Sequence, residues 1–253
     1  MAKKRQLLIV GNWKTNPGTL KEAKKLFLNI QKGLPQNSGV MIAPPSPFIS
    51  DLYQIAFGHK IKLAAQDVSS EVGGAFTGEV SLPMLKSAGA AAVIVGHSER
   101  RARGEKDEDV NKKVKVVIKY RATAIVCVGE KSRDGHGNYF GVVEAQLKAA
   151  LKGIKAADLK HIVVAYEPVW AIGTGNNATP EDAHEMKLFI RKVLADNFTR
   201  QLADKVPILY GGSVTSQNTA DLTERGGVDG FLVGKASLKA REFLSIVNEA
   251  TGA

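Results

Sequence analysis

The stretch "HIVVAYEPVWAIGTG", residues 161–175, joins two patterns that pull in opposite directions. Its first half is an unbroken apolar, β-branched run, the mark of a strand buried on both faces. The second half begins with an ionisable Glu167, continues at once with Pro168, and loosens into Gly173 and Gly175. An acid at the end of a buried strand costs free energy unless its charge is used there. The run therefore predicts a strand whose end is a working surface, and the rest of the chain shows whether other strands end in the same way.

Seven more short apolar runs alternate with longer amphipathic segments: "LLIV", "VMIA", "IKLAA", "AAVIV", "AIVCV", "PILY" and "GFLV". Helical patterns lie between them, over 19–33, 107–121, 144–153, 180–198 and 216–225, with a last one near 237–249. Strands with no polar face imply a parallel sheet covered by helices. Alternation of this kind over 253 residues predicts a closed (β/α)8 barrel filling the chain, 1–253, as a single domain, with an open doubly wound sheet as the alternative. No "GxGxxG" follows the first run, which weakens the dinucleotide-binding version of that alternative.

In a barrel of this type the active site lies where the strands end. The first run is followed by Asn12 and Lys14, the third by Gln66, the fourth by His97 and Glu99, the fifth by Glu130 and the sixth by Glu167; "GGS" follows the seventh, and Gly234 with Lys235 the eighth. Polar and ionisable groups thus converge on one rim. Pro168 fixes the backbone after Glu167 while the glycines beyond it loosen the far half, the composition of a lid over 168–178.

Bulk properties narrow the classes. Hydrophobic residues make up 44% and charged residues 24%, which suits a globular protein with a sizeable core and argues against disorder. The formal charge of +10 raises the question of nucleic acid, but the lysines are spread over helical faces such as "LKEAKKLF" without aromatic interleaving, so no nucleic-acid partner is expected. A positive field also steers a small anionic substrate. The basic start "MAKKRQLLIV" carries an apolar run of only four residues, too short for a cleavable signal, and no stretch approaches a membrane span. Cys127 is the one cysteine and lies inside "AIVCV", where a small buried hydrophobe is expected; a reducing cytoplasm fits. No metal is expected, since there is no "HExxH", no cysteine pair and no acidic calcium loop. His59, His136, His161 and His184 lack a motif around them and are read as structural or exposed.

Taken in order, "GNWKTN", "GAFTGE", "GHSERR", "IVCVGE", "AYEPVWAIGTG", "LYGGSV" and "GFLVGKASL" resemble the triosephosphate isomerase family over essentially the whole length. The resemblance implies a TIM barrel, a homodimer, and cofactor-free interconversion of dihydroxyacetone phosphate and glyceraldehyde 3-phosphate. It casts Glu167 as the proton-shuttling base, and His97, Asn12 and Lys14 as stabilisers of negative charge on the substrate. A salt-bridged strand-end acid is the competing reading of Glu167, a structural ring that of His97, and a rim lysine lying along apolar surface that of Lys14. The implied phosphate ligands are the turns carrying Ser213, Gly234 and Lys235, together with Gly173 of the lid. That lid comprises Pro168, Val169, Trp170, Ala171, Ile172, Gly173, Thr174, Gly175, Asn176, Asn177 and Ala178. The loop bearing Thr77, Gly78 and Glu79 would enter the partner subunit near Asn12 and Lys14. Another phosphosugar-binding barrel would share the phosphate turns without needing Asn12, Lys14, His97 and Glu167 together, and a silent dimeric binding protein could lose Glu167 or His97, both of which this chain keeps.

Three places depart from the family pattern. "HSERRARGE" is one residue short and lacks an aromatic, which leaves the role of Glu105 open. Asn176 and Asn177 stand where the family usually has a lysine followed by threonine or valine. Lys235 stands where it often has glycine.

Overall fold

The computed structural model describes residues 6–35, 38–56, 61–171 and 178–252. Eight strands close into a barrel in sequence order, every neighbouring pair parallel. They are β1 (Leu8–Asn12), β2 (Val40–Ala43), β3 (Lys62–Ala65), β4 (Ala90–Val95), β5 (Thr123–Val128), β6 (Ile162–Tyr166), β7 (Ile208–Tyr210) and β8 (Gly230–Val233). The helices follow as α1 (Leu20–Gly33), α2 (Ile49–Ala56), α3 (Leu82–Ser87), α4 (Ser98–Ala102), α5 (Asp107–Lys119), α6 (Asn138–Ala150), α7 (Pro180–Asn197), α8 (Arg200–Ala203), α9 (Ser216–Glu224) and α10 (Ala240–Thr251). The open-sheet alternative is thereby excluded. Among the described residues no helix is long and apolar enough to cross a membrane.

The strands are apolar throughout because they face two cores. Along β5, Ile125 and Cys127 point into the barrel, where they meet Ala43, Ala64, Ala92 and Ala165. Ala124, Val126 and Val128 point outward against the helices. Each helix supplies one matching stripe: α1 buries Ala23, Phe27 and Ile30, spaced by four and three residues, and is capped by the Thr19 hydroxyl accepting from Glu22 N at 3.3 Å. At α7, Thr179 and Asp182 form a reciprocal capping box with Pro180 in the first turn, the position proline tolerates best.

Two helix boundaries differ from the sequence expectation. α6 begins at Asn138 rather than near 144, because Asp134 Oδ1 accepts from His136 N at 3.0 Å and Asn138 N at 3.1 Å and so starts the helix a turn and a half earlier. The last expected helix is two pieces, a 3₁₀ turn Lys235–Leu238 and then α10, separated by an extended Lys239. The short segment after β4 still packs. Glu105 is buried and bonds Lys113, which also reaches Asp67 at 2.7 Å, while Arg100 meets Asp67 at 2.8 Å. Two cations and two anions thus tie the segment after β4 to α5 and to Asp67 beyond the end of β3.

Barrel closure depends on one glycine. Gly230 pairs with Leu8 across the β8–β1 seam at φ +145°, and a Cβ there would lie 1.9 Å from the Leu8 carbonyl oxygen. Gly230→Ala is expected to destabilise the barrel by about 1–3 kcal/mol from backbone strain, plus a comparable overlap cost. Equilibrium urea unfolding checks this, and an unchanged midpoint would contradict it.

Candidate active site

At the carboxyl ends of the strands one cavity of about 480 Å³ opens. Asn12, Lys14, His97 and Glu167 line it together with the glycine-rich turns after β7 and β8. Residues 12 to 235 of the sequence are brought to a single rim because all eight strands run the same way.

Lys14 is held in a strained shape. Its φ of +53° is rare outside glycine and costs on the order of 1–3 kcal/mol unless neighbours impose it. They do: Lys14 N donates to Asn12 Oδ1 at 3.0 Å, and Gln66 Nε2 donates to the Lys14 carbonyl at 2.7 Å and to the Ala43 carbonyl at 2.8 Å. The ammonium bonds Glu99 Oε1 at 2.5 Å. Partial burial works to raise the Glu99 carboxyl, but the hydrogen bond and charge of Lys14 outweigh it and hold that group below its usual range. The same half-exposed lysine also lies beside Gly234, where a Cβ would sit 3.7 Å from its Cε. Its charge is therefore delivered into the cavity between β1 and β8.

His97 caps α4, and its Nδ1 accepts from Glu99 N at 3.2 Å. A protonated Nδ1 could not accept, so this bond fixes the neutral ring with its proton on Nε2. The donor is a main-chain amide in the first turn of α4. Nε2 faces Glu167 Oε1 at 3.0 Å.

Glu167 is 2% exposed, and its second oxygen, Oε2, accepts from Ser98 N at 2.9 Å. Glu167 N donates to Val128 O at 2.8 Å, which pins the backbone to the end of β5. At Gly129 a Cβ would lie 1.7 Å from the Glu167 carbonyl oxygen, so only glycine permits this approach. Cys127 faces the barrel interior; burial, and then the nearby Glu167 carboxylate, push its thiol well above the ordinary value, so it stays a neutral filler.

Of the lid, Pro168 to Ala171 and Ala178 are described, with 169–171 in a 3₁₀ turn; residues 172–177, including Ile172, Gly173, Thr174, Gly175, Asn176 and Asn177, lie outside the described residues. Ser213 Oγ donates to the Ala171 carbonyl at 3.2 Å, which ties this hydroxyl to the 3₁₀ turn after Pro168. The only described non-glycine residues with positive φ are Lys14 and Arg121, so Lys235 opens its 3₁₀ turn at ordinary φ with an exposed side chain. Thr77, Gly78 and Glu79 are exposed on a loop whose neck is closed by Ser69 N donating to Val80 O at 2.9 Å.

A cluster that the sequence did not assign lies behind Glu167. Glu130 Oε1, on a side chain 1% exposed, accepts from Tyr166 Oη at 2.8 Å, Trp170 Nε1 at 2.8 Å and Arg133 Nε at 3.0 Å. Burial, then Glu130, raises the Tyr166 phenol, which therefore remains a donor. Burial opposes the Arg133 charge, yet Tyr166 and Glu130 together lift the guanidinium above its ordinary value. Glu130 was legible as a strand-end acid; Arg133 had no signal beyond standing three residues later.

A family model described as triosephosphate isomerase matches residues 7–250. Curated relatives named triosephosphate isomerase include one from Saccharopolyspora erythraea, 45% identical over 98% of each chain. One from Citrifermentans bemidjiense is 47% identical over 96% of this chain and 98% of its own. Another, from Fusobacterium nucleatum, is 43% identical with the same coverage. With the fold, the rim residues and near full-length similarity in agreement, this chain belongs to the triosephosphate isomerase family.

Proposed function

We propose that this protein interconverts dihydroxyacetone phosphate and glyceraldehyde 3-phosphate without a cofactor, with Glu167 as the base. Moving a carbonyl between adjacent carbons requires removing a proton from one carbon and returning it to the next through an enediolate. The observation that carries the reading is the pairing of a buried carboxylate with a neutral imidazole donor at 3.0 Å beside a lysine ammonium in one cavity. That set supplies a base and the donors its anionic intermediate needs.

The geometry gives the two groups a shared proton donor. His97 Nε2–H now serves Glu167 Oε1; when a substrate oxygen takes that donor, the carboxylate is released from one of its two holds. Substrate capture and mobilisation of the base are thereby linked. Asn12 and Lys14 add charge stabilisation at the same oxygens. Backbone N–H groups of Ser213, Gly234, Lys235 and Gly173 hold the phosphate, and the 168–178 lid excludes water from the enediolate. Support for a lid with fixed ends comes from Val169 N donating to the Glu130 carbonyl at 3.0 Å on one side and the Thr179–Asp182 capping box on the other.

Assembly as a homodimer through the loop bearing Thr77, Gly78 and Glu79 is part of the same reading. Among the described residues, four of the seven exposed large hydrophobics, Tyr53, Val72, Phe76 and Met84, fall on this loop or on the helices before and after it. Apolar area of that kind marks a protein contact.

Three measurements test the proposal. A coupled assay with glyceraldehyde 3-phosphate should show isomerisation, and Glu167→Asp, which withdraws the carboxylate by one methylene, should lower kcat about 10²-fold with a smaller change in KM. Turnover within twofold of the parent would sink Glu167 as base. Thr77→Arg should give monomers of much reduced activity by sedimentation, a result contradicted if the parent itself is monomeric at micromolar concentration. Lys235→Gly should raise KM less than roughly tenfold, whereas Lys235→Pro, which deletes the N–H, should weaken inhibition by inorganic phosphate far more. Equal damage from both, abolished by salt, would make the side chain the ligand.

A further inference from the structure

Glu167 is gripped on both sides along the chain. Its predecessor Tyr166 and its third successor Trp170 both donate to one oxygen, Glu130 Oε1, at 2.8 Å each. The base thus sits in a short loop of chain whose two shoulders hang from a single buried carboxylate oxygen. The other oxygen, Glu130 Oε2, is buried and has no hydrogen-bond partner among the described residues.

Arg133 is what steadies this carboxylate. Its Nε donates to the same Oε1 at 3.0 Å and its NH2 to Tyr166 Oη at 3.1 Å, so it touches the anchor and one shoulder directly. The guanidinium carbon also lies 5.4 Å from the Trp170 ring centroid, over the other shoulder. Outward, NH1 donates to Asp182 Oδ1 at 2.7 Å and to Glu185 Oε2 at 3.3 Å, both in the first turns of α7, and the Tyr139 ring of α6 backs the group at 4.7 Å. The planar fork therefore spans from two rigid helices to the carboxylate that carries both shoulders of the base. From the inside, the Val128 carbonyl and the close approach of Gly129 leave the Glu167 backbone little room.

We propose that Arg133 is a positioning residue for Glu167, acting through Glu130, Tyr166 and Trp170 rather than by touching substrate. This rests on the reading of Glu167 as the base. Without the guanidinium, Glu130 loses its Nε donor and, among the described residues, its counter-charge; the carboxylate is then free to turn, and the shoulders shift with it. A displacement of about 1 Å at a reacting group costs on the order of 10²-fold in rate. Lysine keeps the charge but not the fork, so it cannot serve Glu130, Tyr166 and α7 together.

The test compares the parent with Arg133→Gln and Arg133→Lys as purified full chains, reading kcat, KM, thermal midpoint and the primary deuterium isotope effect on substrate labelled at the transferred hydrogen. The expected result is a kcat lower by about 10- to 100-fold for Gln and by less for Lys, KM within about threefold, and a larger isotope effect as proton abstraction becomes slower. A lowered thermal midpoint with kcat and isotope effect equal to the parent would show a purely structural residue and overturn the inference. Should the Gln variant fail to fold, the Lys variant decides, and parental kcat and isotope effect there refute it. If the parent does not isomerise at all, or Glu167→Asp is harmless, it is the assignment of the base that has failed. If both of those hold and the Arg133 variants are indifferent, only this inference falls.

Discussion

Each strand of this barrel is buried on two sides, and that constraint governs everything else. A side chain along β5 or β6 meets either the barrel interior or the helix layer, and both are apolar. Charge placed in the middle of such a strand would be stranded without water or partner. The strand ends are the only positions where the chain emerges from both cores at once, so they are where Asn12, His97, Glu130 and Glu167 accumulate. The polar rim is in this sense the outlet for polarity that the body of the barrel refuses.

Crowding so many ionisable groups on one rim creates a second problem, which the fold solves by giving each a defined partner. Lys14 is matched by Glu99, Glu130 by Arg133, and Glu105 with Asp67 by Lys113 and Arg100. Glu167 is the exception, since its bonds come from a backbone N–H and a neutral ring and bring no formal positive charge into contact.

The sequence made the strand-end residues legible because an apolar run followed by a polar residue is a local pattern. Glu167, His97, Lys14 and Asn12 could be read from their immediate neighbours, and the resemblance then gave them roles. What could not be read depends on which distant segments meet. Arg133 and Asp182 are 49 positions apart, and nothing near either one announces the other. The early start of α6 was hidden because Asp134 acts as a cap only in the loop shape that Gly137 allows at φ +76°. The bond that holds the His97 ring comes from the Glu99 amide two residues ahead, and no side-chain pattern in the sequence announces it.

That amide has a consequence for how the site tolerates change. Because one of the two bonds that set the His97 ring comes from the main chain, substitution of the Ser98 or Arg100 side chain leaves that bond standing so long as α4 keeps its first turn. The proton's location on the ring is inherited with the backbone path. Side chains on the surface of α4 can therefore change without touching the ring, whereas a residue inserted between 97 and 99 would displace the Nδ1 donor and leave Glu167 alone to orient it.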